Sequence, residues 1–215
     1  MGASTIFDIV SSTVVGSLLL LMALRLNAQA IETNAVYQNN LNLQQSIVAL
    51  VDIVEADFRK IGYCKDYKKI QPPNIAIVSA DSNAIKFLTD CPRYPGDVGD
   101  GVVDTVYYYV GPTSELDNTP NPRDRFLYRI VNGNTSRGWN LGVTQFNLRY
   151  YDALGDTIPF PVPDPRLVYT MEINISLESP APMMEAEYTS AAADSADFKV
   201  YWRQIRLASR NLRNR

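Results

Sequence analysis

Residues 9–24 read IVSSTVVGSLLLLMAL, sixteen positions without a charged side chain. Extending back to Met1 adds only Asp8, and Arg25 ends the run. A bilayer takes about 20 apolar residues in helical form, so the 24 residues before Arg25 suffice for one crossing. A secretory signal peptide needs a basic start and a cleavage point; Met1-Gly2-Ala3 supplies no base, and the helical pattern runs on past Arg25. Sixteen uncharged residues, apolar all round near Leu18 and Met22, also fit a buried helix of a soluble domain poorly. Beyond Arg25, Leu41, Ile47, Val48, Val51, Val54, Phe58 and Ile61 recur at three- and four-residue steps, with Asn, Gln, Asp and Glu between them. The first proline is Pro72, and Gly62 offers a helix stop. The pattern predicts one helix from about Ser4 to Ile61, about 85 Å long at 1.5 Å per residue. No compact 215-residue domain is that wide. The front half is therefore expected to lie in lipid or in a bundle of similar helices.

After Gly62 the texture changes to short β-prone runs at 75–80, 84–89, 105–110, 126–131, 143–151, 167–177 and 200–207. Asp81-Ser82-Asn83 makes a hairpin of the first two, and Asn132-Gly133-Asn134 turns the chain after the fourth. Four prolines in 158–165 mark an extended loop, and the Ala/Ser-rich run from Ser190 past Asp194 reads as another. In 170–177, Met171, Ile173, Ile175 and Leu177 alternate and are expected to face inward. Strands that follow one long helix without a βαβ rhythm predict an α+β fold, the long N-terminal helix packed on an antiparallel sheet. The expected organisation is a membrane or filament-core helix at 1–26, its amphipathic continuation at 27–62, and a β-rich head at 63–215.

Composition narrows the function. Hydrophobic residues make up 46% of the chain, enough for a packed core. A net charge of -3 argues against nucleic-acid binding, although Arg203, Arg206, Arg210, Arg213 and Arg215 crowd the end. That tail reads as a strand with arginines on its wet face, or as a contact for phosphates, lipid head groups or an acidic partner. There is no histidine, which removes the commonest general base, the commonest metal ligand and every Ser-His or Cys-His pair. No enzymatic role and no small-molecule substrate are expected. Thirteen tyrosines read as amphipathic packing residues on strands, or as a stacking platform for sugars or bases. Cys64 and Cys91 are the two cysteines, separated by 26 residues. They fit a disulfide formed in an oxidising compartment, worth about 3 kcal/mol for a loop of that length, or two buried free thiols.

One run could hold an ion. Asp97, Asp100 and Asp104 lie within eight residues, with Gly99 and Gly101 allowing tight turns, as oxygen ligands wrapped around calcium would require. The spacing departs from the EF-hand pattern, and the competing reading is a glycine-rich turn into the next strand. No other cofactor is implied. Asn134-Thr-Ser136 and Asn174-Ile-Ser176 fit the glycosylation pattern, the latter inside a strand, and carry no weight.

Three stretches carry a family resemblance: Ser4-Thr-Ile-Phe-Asp8, Asp57-Phe-Arg-Lys-Ile-Gly-Tyr63, and in the head Gly142-Val-Thr-Gln-Phe-Asn-Leu-Arg-Tyr-Tyr-Asp152 with 168–177 and Arg210-Asn-Leu. The chain resembles the type IV pilin-like superfamily, particularly W-type minor pilins and J-type pseudopilins of type II secretion. The resemblance implies a structural subunit of a filament or secretion machine, assembled with other pilin-like subunits through its N-terminal helix. It places the chain at the cytoplasmic (inner) membrane with its head in the periplasm or in an extracellular filament. Asp8 would stand where the family's acid meets a neighbouring subunit's N-terminal amine. The alternative is a single-pass accessory or scaffold subunit of a membrane complex that never polymerises. A mature chain beginning at Ser4 fits the first, an intact Met1 the second.

Overall fold

The computed structural model describes residues 2–70, 75–92, 94, 96–134, 138–179 and 198–212. One α-helix, α1 (Gly2–Arg59), opens the chain. It is unbroken, as a run free of proline predicts. Its closing turn tightens, with Lys60 and Ile61 amides donating to the Asp57 and Phe58 carbonyls at 3.0 and 3.3 Å. Gly62 then takes φ +76°, the left-handed stop that glycine allows. The Ser209 hydroxyl donates to the Ile61 carbonyl at 2.7 Å and to the Arg59 carbonyl at 3.3 Å, satisfying acceptors that the helix end leaves open.

Among the described residues seven strands follow: β1 (Ile77–Ala80), β2 (Ala84–Thr89), β3 (Asp104–Val110), β4 (Arg125–Val131), β5 (Trp139–Tyr151), β6 (Thr170–Glu178) and β7 (Val200–Leu207). They form one sheet in sequential order, every neighbouring pair antiparallel. The chain is thus α+β, a long N-terminal helix followed by an antiparallel meander. The expected runs all become strands, two of them (84–89 and 200–207) with the expected ends and the others with shifted ends. β5 begins at Trp139 rather than 143 because a register irregularity between Val143 and Gln145 lets the strand continue through Gly142 at φ +73°. The turn after β4 holds Asn132 at φ +54° and Gly133 at φ +74°, the conformations that Asn-Gly favours. The expected loop around Ser190 and Asp194 lies outside the described residues, as do Arg213 and Arg215.

The chain divides into two compact units, Met1–Asn42 and Leu43–Arg215. In the second, Leu43, Ile47, Leu50, Val51, Val54 and Phe58 of α1 join Ile61 in the core. Val48, expected in that stripe, is 59% exposed, and Leu43 and Leu50 belong to it instead. The stripe at 43, 47, 50, 54 and 58 keeps the 3.6-residue period, and Val48 lies a quarter-turn off it. Met171, Ile173, Ile175 and Leu177 are all fully buried, as their alternation predicts. Phe58 packs edge-on against Phe87 and Tyr108 at 5.5 and 5.6 Å, aromatic geometry that adds to simple area burial. The tip of the β1–β2 hairpin docks on β5: the Leu148 amide donates to the Ser82 carbonyl at 2.7 Å and the Tyr150 hydroxyl to the Asp81 carbonyl at 3.0 Å.

Candidate functional site

The first unit carries the most conspicuous surface. Ile6, Phe7, Ile9, Val10, Val14, Val15, and the leucines from Leu18 to Leu26 are each at least half exposed. The apolar window of α1 has a mean hydropathy of 2.0 with none of it buried, and by length and composition this helix can cross a membrane. The hydroxyls of Ser11, Ser12, Thr13 and Ser17 need no outside partner. Ser11 Oγ donates to the Phe7 carbonyl, Ser12 Oγ and Thr13 Oγ1 to that of Ile9, and Ser17 Oγ to that of Thr13, at 2.7–2.9 Å. Bonding back to the preceding turn is how Ser and Thr are carried into an apolar medium without a lone donor. Asp8 sits on the same exposed stretch, one turn before Ser12.

The loop that resembled a calcium ligand set is organised differently. Among the described residues no group of three or more Cys, Asp or Glu side chains is placed to hold a metal. Asp97 accepts from the Gly99 amide at 3.2 Å, Asp100 from the Val102 amide at 2.8 Å, and Asp104 from the Cys91 amide at 2.9 Å and Asn132 Nδ2 at 2.6 Å. Each carboxylate thus caps a different piece of backbone. The loop wraps instead around Asp90, which is fully buried and which sequence reading passed over. Asp90 Oδ1 accepts from the Asp100 amide at 3.0 Å, and Oδ2 from the Gly101 and Lys65 amides at 2.8 and 3.1 Å. Gly99 (φ +106°) and Gly101 (φ +81°) permit that curl, and a Cβ on Gly99 would collide with the Asp90 carboxylate. Backbone amides in such a nest neutralise one carboxylate as a cation would. A lone aspartate ahead of the glycine run carries no sequence signal of this role.

A second buried charge links α1 to the sheet. Asp57 Oδ2 accepts from Tyr108 Oη and from Arg129 Nε, both at 2.6 Å, and Oδ1 accepts from Arg129 Nη2 at 3.2 Å. Burial works against the Arg129 charge, but the hydrogen bonds and charge of Asp57 win and push its pKa up. Tyr108 is pushed up as well, first by burial and then by the Asp57 charge, so it stays a donor. Asp57 opens the motif that closes α1; its partners Arg129 and Tyr108 lie on β4 and β3, invisible to local sequence patterns.

Cys64 and Cys91 stand as free thiols, Cys64 buried and Cys91 half-buried. Burial raises both thiol pKa values, that of Cys91 to about 11 even with the Arg129 charge nearby, so neither is a ready thiolate nucleophile. The Gly62 amide donates to the Leu88 carbonyl and the Asp90 amide to the Tyr63 carbonyl, both at 2.8 Å. The two segments therefore run alongside in the same direction, and each cysteine follows one residue beyond that pairing. Asp124 is buried with Oδ1 lacking a hydrogen-bond partner among the described residues; burial, with Glu178 adding to it, lifts its pKa to about 6.

Fold and surface together define the class: an α+β domain whose leading helix carries an exposed, self-satisfied apolar half. No family model and no curated protein matches the chain. Among solved structures it is similar to a type IV-like pilin from Thermus thermophilus, with 11% identity and a TM-score of 0.46 over 79% of this chain and 98% of that one.

Proposed function

We propose that this protein is a structural subunit of the pilin-like kind, a minor pilin or pseudopilin, held in the cytoplasmic membrane by the front of α1 and assembled with similar subunits through it. The observation that carries the reading is the exposed apolar half of an unbroken helix whose Ser11, Ser12, Thr13 and Ser17 hydroxyls bond to its own backbone. At about 25 cal/mol per Å² of apolar surface, leaving such a stretch in water is costly, and lipid or sister helices remove the cost. The resemblance of Ser4-Thr-Ile-Phe-Asp8 and Asp57-Phe-Arg-Lys-Ile-Gly-Tyr63 to the family's helix start and end supports the same reading. In this role Asp8 neutralises a neighbouring subunit's amine inside the bundle, because an ionised carboxylate among apolar helices needs a partner. The head then faces an oxidising compartment, where the free thiols of Cys64 and Cys91 are oxidised to a disulfide.

The test has two arms. Membranes from cells expressing the full chain are washed with alkaline carbonate; the chain stays in the pellet, and a variant lacking residues 2–26 does not. Asp8→Ala is expected to stay in the membrane, keep its head folded by protease resistance, and lose crosslinking to sister subunits. Unchanged crosslinking in Asp8→Ala, together with a mature amino terminus at Met1, would favour a tethered accessory subunit of a membrane complex instead.

A further inference from the structure

The face of the sheet opposite α1 carries a groove of about 430 Å³ across β5, β6 and β7, lined by Ser82, Gln145, Asn147, Asn174, Ser176 and Trp202 among others. That volume lies within the roughly 300–1,000 Å³ of small-ligand sites. Strand register builds its floor. Gln145 pairs with Ser176 and Ser176 with Trp202; Asn147 pairs with Asn174 and Asn174 with Gln204; Arg149 pairs with Glu172 and Glu172 with Arg206. Since alternate side chains share a face, these are three rows of adjacent side chains on one surface. Two aromatic rings border the groove: Trp202, 67% exposed, and Phe160, 41% exposed.

The chemistry of the floor selects among ligands. Its two central rows hold amides and hydroxyls, each able both to donate and to accept. The charged row holds two guanidiniums, Arg149 and Arg206, to one carboxylate, Glu172, and each guanidinium is already engaged. Glu172 accepts from Asn174 Nδ2 at 3.1 Å and Tyr151 Oη at 3.0 Å, faces Arg149 at 4.0 Å, and Arg206 lies over the Tyr151 ring at 4.3 Å. Burial opposes ionisation of Glu172, but the bonds from Asn174, Tyr151 and Gln204 win and hold its pKa below the usual glutamate value. Glu172 is therefore an organiser: by accepting from Asn174 Nδ2 it fixes that amide beside the groove. An anionic ligand would find no uncommitted cluster of cations, and a nucleic acid no basic track. A lipid tail would have to strip water from the amides. A neutral oligosaccharide meets every feature, because its hydroxyls match groups that donate and accept at once, and the C–H face of a pyranose ring lies flat on an exposed indole.

We infer that this face is a binding site for a neutral sugar chain, stacked on Trp202 and hydrogen-bonded by Gln145, Asn147 and Asn174. The inference does not depend on how the helix is anchored or assembled. The experiment uses the full chain in lipid nanodiscs, which avoids sugar-headed detergents, on a Trp139→Phe background that leaves Trp202 as the one indole. Maltohexaose, cellohexaose, laminarihexaose and chitohexaose are titrated while tryptophan emission is followed, and calorimetry gives the affinity. At least one sugar is expected to give a saturable blue shift. By calorimetry, Trp202→Ala and Asn174→Ala are each expected to weaken that binding at least tenfold, with the circular dichroism spectrum of the folded head retained. Three results would overturn the inference: no response to any of the four, tighter binding of sulfated dextran than of the neutral chains, or sugar binding that Asn174→Ala leaves intact. Loss of self-association in Trp202→Ala by sedimentation, without any sugar response, would likewise overturn it and mark the face as a protein contact.

Discussion

Replacing Asp57 by alanine removes the acceptor of the Tyr108 hydroxyl and of both Arg129 donors, and leaves a guanidinium on the core side of the sheet. Removing one partner of a fully buried ion pair costs roughly 3–5 kcal/mol, mostly the penalty of the stranded charge. The Arg129 side chain retains 23% exposure and that of Asp57 12%. Water can therefore reach part of the stranded charge, and about 2–4 kcal/mol is the expected loss. Replacing both partners with apolar side chains, as Asp57→Leu with Arg129→Met, removes the charge problem and is expected to recover most of that loss. The pair of single variants and the double variant form a thermodynamic cycle whose coupling should exceed about 1 kcal/mol. Urea unfolding of a 27–215 fragment, followed by circular dichroism and extrapolated linearly, measures each term. An Asp57→Ala loss below about 1 kcal/mol, or single losses that simply add in the double variant, would refute the claim that this triad ties α1 to the sheet.

Further outcomes follow from other sites. Gly99→Ala combines a disfavoured φ with a clash against Asp90, and is expected to lower stability by about 2–4 kcal/mol in the same unfolding assay; a neutral result would refute the nest. Asp124 titrates at 3.8 when unfolded and at about 6 when folded, so below pH 3.8 it is neutral in both states. Between those values it ionises only in the unfolded chain. Stability should therefore fall as pH rises through that window, by about 2–3 kcal/mol at most. Asp124→Asn should flatten this part of the profile and raise stability at pH 7. Mass spectrometry of the alkylated, unreduced chain isolated from an oxidising compartment should find Cys64 and Cys91 joined and unlabelled, and two alkylated thiols would refute that pairing.

Local patterns determined the elements. The uncharged run at 9–24, the absence of proline before Pro72, and alternation in 170–177 are properties of neighbouring residues, and the helix and strands follow from them. Helix period and strand alternation act over a few residues, so sequence alone carries them. Even here the expected stripe on α1 includes Leu41 and Val48, which stay out of the core, and omits Leu43 and Leu50, because several registers of a 3.6-residue period fit a helix rich in leucine and valine. The sites depended on tertiary structure. Asp57 finds Arg129 72 residues away, and the glycine loop closes its backbone amides on Asp90. The row of amides beside Trp202 exists because strand pairing brings Asn147, Asn174 and Gln204 side by side. Buried charges must find compensating partners wherever the fold supplies them, and that long-range pairing leaves no periodic trace in the chain.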